Sequence, residues 1–399
     1  MITPSQQILL EAVKASVFRI TPNYHSIVNW DEVVAEAKSQ TVMSLISSVI
    51  PVKDNTCEQC KAMYMRIMYE QDKLIKCLDN AQIPFVILKG SAAAVYYPMP
   101  HLRTMGDVDV LVPQARFAET LQLLEDNGYI YGCGSEESVK DYDDVRDLAY
   151  IKNGVCVEIH KRFSSPGFNV DDILESAIER REYFELNGYR FPILPCAENG
   201  LVLLGHINHH LKDNALGLRQ IIDWAMYLNA VKDIDSWIKE FVPLVEKVGL
   251  LTLAAYVTKV CNKHLGLPEK VCFDIDVEDS LVDELIEVVL TDANFGRRVH
   301  LDNTEEEKKL LSASVRIEKE GIFHYFIRIG LENSNFCKTH PSLKVIAFLC
   351  GFFRQLRRGI NALIKNKGIG KNMRDGKKIF EMRSNRQDLY KKLGVRNGK

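Results

Sequence analysis

The stretch Asp107-Val-Asp-Val-Leu-Val112 limits the possible folds of this chain more than any other. Acidic and apolar residues alternate through it, which is the period-2 pattern of a strand, and Pro113 ends it. Side chains at i and i+2 of a strand share a face, so Asp107 and Asp109 project together, with Val108 turned the other way. Two like charges held side by side are unfavourable unless a cation lies between them. The fold must therefore bury the valines in a core and bring positive charge to the two carboxylates.

The neighbouring segments read as the rest of a small sheet. Phe85-Val-Ile-Leu88 is a short apolar run of the kind found in buried strands. Lys89-Gly-Ser91 follows it, then the helix-forming Ala92–Tyr97, stopped by Pro98. Residues 114–127 read as an amphipathic helix through Phe117, Leu121 and Leu124, closed by Asn127-Gly128. Leu148–Ile151 and Val155–Ile159 read as two strands joined across Lys152-Asn-Gly154, a hairpin signal.

Helical periodicity dominates on both sides. Before residue 80 it predicts one helix capped by Ser5 and running through Leu9, Val13 and Val17, and a second through Trp30, Val33, Val34 and Ala37. A third runs from Cys57 to Asn80, with Met63, Ile67, Leu74, Ile75 and Leu78 on its apolar side. After residue 195 it predicts helices at 197–212, 216–230, 234–247, 250–265, 279–291 and within 340–365. The fold class is therefore α+β. An N-terminal helical segment (1–80) and a mainly helical domain (196–350) flank a small mixed-sheet core (81–195), and a basic tail (351–399) follows.

Charge is unevenly shared. Residues 351–399 hold 15 Lys plus Arg against three Asp plus Glu, a net +12; with −2 for the whole chain, residues 1–350 carry −14. A packed helix with a solubilising tail explains the basic end, and contact with nucleic acid or a membrane surface is the functional alternative. The hydrophobic share of 46% excludes a disordered chain. Ten cysteines without framework spacing, no signal-peptide pattern and a longest apolar run of only Val345–Phe353 lead to the expectation of a cytoplasmic protein with free thiols and no transmembrane segment.

Glu158, in the strand-like Val157-Glu-Ile159, supplies a third acid. If that strand lies beside the first, Asp107, Asp109 and Glu158 converge. Hard oxygen donors of this kind suit Mg²⁺, with room for two ions in an in-line displacement at phosphorus. Gly90-Ser91, between a strand and a helix, permits close backbone approach and can meet phosphate oxygens, while Lys89 and Arg103 can neutralise negative charge. His160 shares the face of Glu158 and reads as structural. His206 and His210, like Arg219 and Asp223, are i, i+4 pairs on predicted helices; they read as an interhelical polar network, with a nucleotide- or acceptor-facing surface as the alternative and a zinc site, which lacks a clear third ligand, behind both. Cys57-x-x-Cys60 is a single pair inside a helix and reads as two thiols.

Taken in order, Gly90-Ser91, Asp107-Val-Asp109 and Glu158 resemble the DNA polymerase β-type nucleotidyltransferase superfamily. More narrowly, Leu88-Lys-Gly-Ser, Tyr96-Tyr-Pro, Arg103-Thr-Met-Gly-Asp-Val-Asp-Val-Leu-Val, Val157-Glu-Ile-His and Arg219-Gln-Ile-Ile-Asp223 resemble the bacterial uncharacterised nucleotidyltransferase family 5, over roughly residues 80–230. The spacing from Ser91 to Asp107 is longer than in minimal members of the superfamily and fits the narrower family. The resemblance implies a nucleotidyltransferase core and an NTP donor, ATP first among them. It also implies two Mg²⁺ held by Asp107, Asp109 and Glu158, with Gly90, Ser91, Lys89 and Arg103 at the nucleotide. The acceptor is not implied. The rival expectations are a catalytically silent nucleotide-binding or scaffolding protein, and a protein acting through its basic tail.

Overall fold

One sheet with a different hydrophobic core against each face organises the chain in its computed structural model, which describes residues 2–24, 28–132, 145–163, 170–213, 216–292 and 388–395. The elements run α1 (Pro4–Phe18), α2 (Trp30–Ser39), α3 (Met43–Ile46), α4 (Thr56–Asn80), β1 (Val86–Leu88), α5 (Gly90–Ala94), β2 (Asp107–Leu111), α6 (Phe117–Asp126), β3 (Ile130–Tyr131), β4 (Asp147–Lys152) and β5 (Val155–His160). There follow α7 (Asp171–Ala177), β6 (Glu182–Leu186), β7 (Tyr189–Ile193), α8 (Cys196–Asp213), α9 (Leu218–Ala230), α10 (Ile234–Val248), α11 (Leu251–Val260) and α12 (Asp279–Asp292). The architecture is α+β, as the periodicity predicts.

The five-stranded sheet has the order β1-β2-β5-β4-β3. β2 and β5 are parallel and the other pairings are antiparallel. The β2–β5 register sets Asp107 opposite Cys156, Asp109 opposite Glu158 and Leu111 opposite His160. Pleating then sorts the side chains. Ile87, Val108, Val110, Val157 and Ile159 pack against α4 and α6, through Ile67, Leu74, Leu78, Phe117 and Leu121 among others. Val86, Leu88 and Leu111 join a second core built by α1–α3 and α8–α12. The carboxylates occupy this second face.

Packing divides residues 1–80 between the two cores: α1–α3 go with the later helices and α4 with the sheet. Two local expectations are corrected. Thr3, not Ser5, caps α1, because Pro4 sits at the first helical position and Gln6 completes a capping box with Thr3. Ser5 instead donates to Glu32 at 2.6 Å. On α4 the inward position next to Met63 is taken by Tyr64, leaving Met63 40% exposed.

The β4–β5 turn uses Asn153 (φ 49°) and Gly154 (φ 71°), both left-handed, as a tight hairpin requires. A second hairpin, β6–β7, turns through Asn187 (φ 53°) and Gly188 (φ 83°) and carries the same Asn-Gly signal, unread in the sequence. The expected helix within 340–365 lies outside the described residues, as does most of the basic tail. Within that tail, Leu389 and Leu393 are buried in the helical core. Among the described residues no single helix is long and apolar enough to cross a membrane; α10 and the stretch Leu251–Leu265 reach that length only as a pair bent by 120°.

A buried ion pair joins the sheet to the helices. Arg103, four residues before β2, donates through Nε and Nη2 to the two oxygens of Asp223 on α9, both at 2.7 Å, and the Tyr97 hydroxyl donates to Asp223 Oδ1 at 2.7 Å. Both charges are buried. Removing one partner strands the other in a low-dielectric interior, at about 3–5 kcal/mol. Asp223→Ala is expected to cost that much in urea denaturation, and Arg103→Met combined with Asp223→Leu to recover most of it. A double variant as unstable as the single would show that the stranded charge is not the cause.

Candidate active site on the polar face of the sheet

Asp109 is the centre of the site and is 2% exposed. Its Oδ1 accepts from Lys89 Nζ at 2.8 Å and lies 2.7 Å from His160 Nε2. Burial pushes the carboxyl up, but Lys89 and His160 outweigh it and hold Asp109 well below the usual carboxylate range. Burial also disfavours the Lys89 ammonium, and here Asp109 first, then Glu158 and Asp107, keep it protonated. The local chain makes this contact possible. Lys89 sits between β1 and α5 with φ 45° and ψ −124°, a conformation that costs a non-glycine residue about 1–3 kcal/mol. The sharp turn brings its ammonium over β2.

The other two acids are differently placed. Asp107 makes no hydrogen bond or ion pair among the described residues. Burial, then Asp109, raises its pKa. Glu158 makes no hydrogen bond among the described residues either, and lies 3.6 Å from His160 Nε2. Burial, then Asp109 and Asp107, pushes Glu158 up to about 7. Two acids raised by burial and by neighbouring carboxylates, without hydrogen-bond partners among the described residues, suit a cation site. Among the described residues, Asp109, Glu158 and His160 offer ligand atoms that all lie within 4.8 Å of one another. Asp107 lies on the same face, two residues upstream, outside that cluster. The donor set is carboxylate-rich with one imidazole, and it fits a divalent cation.

The structure therefore brings Asp107, Asp109, Glu158 and Lys89 together. Gly90 opens α5 directly after Lys89; a Cβ there would meet the Asp107 carbonyl oxygen at 3.5 Å and Met105 Sδ at 4.0 Å, which is ordinary contact. Ser91 is buried and donates to Gln71 Oε1 at 2.6 Å, so its one proton is already engaged. Arg103, expected at the nucleotide, gives Nε and Nη2 to Asp223.

Two residues at the site carry more than their sequence context showed. His160 is a partner of Asp109, and only its shared face with Glu158 hinted at this. Asp147, opposite His160 in the β4–β5 ladder, lies 4.0 Å from His160 Nδ1 and is bound by Arg146 at 2.9 Å. Burial raises its carboxyl, but Arg146 and then His160 prevail and lower it. An antiparallel register across the chain put it there, and no motif marks it. On α8, His206 Nε2 and His210 Nε2 lie 2.8 Å apart, and burial first, then His210, holds His206 neutral. The Cys57 and Cys60 thiols are free.

The raised Glu158 has two consequences. An acid with a higher pKa folded than unfolded takes up a proton on folding, so its contribution to unliganded stability is best below the ordinary glutamate range and is lost as pH rises to about 7. Glu158→Gln is expected to raise the thermal midpoint at pH 8, on the order of 1 kcal/mol after solvent screening, and to leave it near wild type at pH 4.5. A bound divalent cation reverses the sign, because it requires the ionised form. Mn²⁺ affinity, read by paramagnetic resonance, is expected to fall between pH 8 and pH 6, and Glu158→Gln to flatten that dependence.

The sequence profile of a family described as uncharacterised nucleotidyltransferase matches residues 26–266. No curated protein matches the chain. Among solved structures, the crystal structure of an antigenic nucleotidyltransferase-like protein from Paracoccidioides brasiliensis is similar at 17% identity, over 51% of this chain and 94% of that one, with a TM-score of 0.30. The family match covers more than half of the chain and takes in every acid described above, so the chain belongs to the uncharacterised nucleotidyltransferase family.

Proposed function

We propose that the protein is a Mg²⁺-dependent nucleotidyltransferase that moves a nucleoside monophosphate from an NTP, ATP first among them, to an acceptor hydroxyl. The observation that carries the reading is the gathering of Asp107, Asp109 and Glu158 on one sheet face beside the Lys89-Gly90 turn. In the reaction the acceptor oxygen bonds to the α-phosphorus, the α–β phosphoanhydride breaks, pyrophosphate leaves, and the hydroxyl proton passes to a carboxylate or to water. When bound, the cation supplies charge neutralisation and a lowered pKa for the acceptor hydroxyl.

The chain's own residues do the rest. Asp107, Asp109 and Glu158 hold the cation, and His160 holds Asp109 in place from the other side. Lys89 bonds Asp109 at 2.8 Å, and its ammonium would be available to the triphosphate if a metal took its place at Asp109. Gly90 keeps the backbone open to a phosphate, and the protein's own packing does not demand a glycine there, since a side-chain carbon would find only ordinary contacts. Ser91 can turn its hydroxyl from Gln71 to a phosphate oxygen. The acceptor is approached from the helical side, where α8 and α9 stand.

The test is transfer of α-labelled nucleotide, with pyrophosphate release, across a panel of sugars, antibiotics, protein hydroxyls and RNA ends. Asp107→Asn and Asp109→Asn are expected to lower transfer by roughly 10²–10³-fold or more. Gly90→Ala is expected to fold as wild type and to weaken ATP binding. Binding of ATP and Mg²⁺ without any transfer across the panel would instead favour a silent nucleotide-binding protein.

A further inference from the structure

Two arginines lie near the acidic face, Arg103 on the segment leading into β2 and Arg219 on α9, and among the described residues only Arg103 is paired with an acid. Arg103 is neutralised by both oxygens of Asp223. Arg219 lies one turn earlier than Asp223 on α9 and on the same helical face. Its side chain's only hydrogen bond among the described residues runs from Nη1 to the Thr104 carbonyl at 3.1 Å. Its Nε is buried with no acceptor, and no carboxylate among the described residues pairs with it. Asp223 cannot serve, because Arg103 and Tyr97 already occupy it.

Thr104 stands three residues before Asp107, so the carbonyl that anchors Arg219 holds the guanidinium at the end of β2 where Asp107 projects. Burial, then the neighbouring Arg103 charge, pushes Arg219 below the usual arginine range; Asp223 and Asp107 oppose this only in part. Were Asp107 to hold a cation, Arg219 would lose part of that compensation. His206, kept neutral by burial, adds no negative charge. A buried charge without a partner is costly, and this fold neutralises the arginine next door with two hydrogen bonds from a carboxylate. Among the described residues no carboxylate supplies the missing negative charge.

We infer that Arg219 is a polyphosphate-binding residue whose Nε and Nη2 edge takes non-bridging oxygens of the NTP triphosphate and holds the pyrophosphate as it leaves. This rests on the nucleotidyltransferase reading and adds to it a recognition element from the helical region. A planar guanidinium presents two donors side by side, the arrangement that phosphate oxygens match. The contact reads phosphate charge, not the nucleobase.

Calorimetry on the full chain tests this, with Mg²⁺ present and inorganic tripolyphosphate and ATP as separate probes. Arg219→Gln is expected to weaken both by roughly tenfold to a hundredfold, and Arg219→Lys to recover part of the loss. Mn²⁺ binding without nucleotide is expected to be unchanged or tighter, and the unliganded thermal midpoint of Arg219→Gln equal to or above wild type, since an uncompensated charge is gone. Wild-type affinity for tripolyphosphate in folded Arg219→Gln overturns the inference. So does a loss of stability with unchanged affinity, which is the mark of a structural arginine. Arg219-dependent tripolyphosphate binding without nucleotide transfer would overturn the transfer reaction and leave Arg219's role standing. Wild-type protein that binds neither probe overturns both.

Discussion

Crowding of carboxylates across the parallel β2–β5 pair is the constraint around which the rest is arranged. The register that sets Asp109 opposite Glu158, with Asp107 two residues away, concentrates negative charge on a half-buried sheet face. Sequestering like charges from water is expensive unless positive charge is supplied. The fold supplies some of it: a strained turn delivers Lys89, and the end of β5 delivers His160, both to the same oxygen of Asp109. Among the described residues it leaves Asp107 and Glu158 without hydrogen-bond partners, and burial and neighbouring carboxylates raise both. A further cation would relieve that shortfall of positive charge.

The helices matter for the same reason. The Arg103–Asp223 pair, reinforced by Tyr97, fixes α9 against the segment that leads into β2. That fixes where Arg219 stands relative to Asp107. Arg103 is held by both oxygens of Asp223, whereas Arg219 pairs with no carboxylate among the described residues. Residue type alone would have assigned them the other way round, with Arg103 at the nucleotide and Arg219 in a polar network.

Much of the fold was legible because its signals are local. The alternation in Asp107–Val112, the Asn153-Gly154 turn and the helical periods after residue 195 are read within one element, and the observed bounds of α8–α12 lie close to those expected. The misses are also physical. Tyr64, not Met63, lies on the inward stripe because successive helix residues point about 100° apart and the buried face centres on Tyr64, Ile67 and Met68. The β6–β7 hairpin carries a plain Asn-Gly signal that its charged strands obscured. His160 and Asp147 were illegible as partners because a ladder between distant strands, not a motif, brings them together.

The sequence by itself determined the elements and the inventory of chemistry: a strand carrying two acids on one face, a later strand carrying a third, a Gly-Ser turn before a helix, and the family to which these motifs belong. Tertiary structure decided which charges are already neutralised. That property depends on distances between residues far apart in the chain, Lys89 with Asp109 and Arg103 with Asp223, and on burial, which sets the strength of each pair. Spacing along a chain reports which groups share a face. It does not report which of them meet.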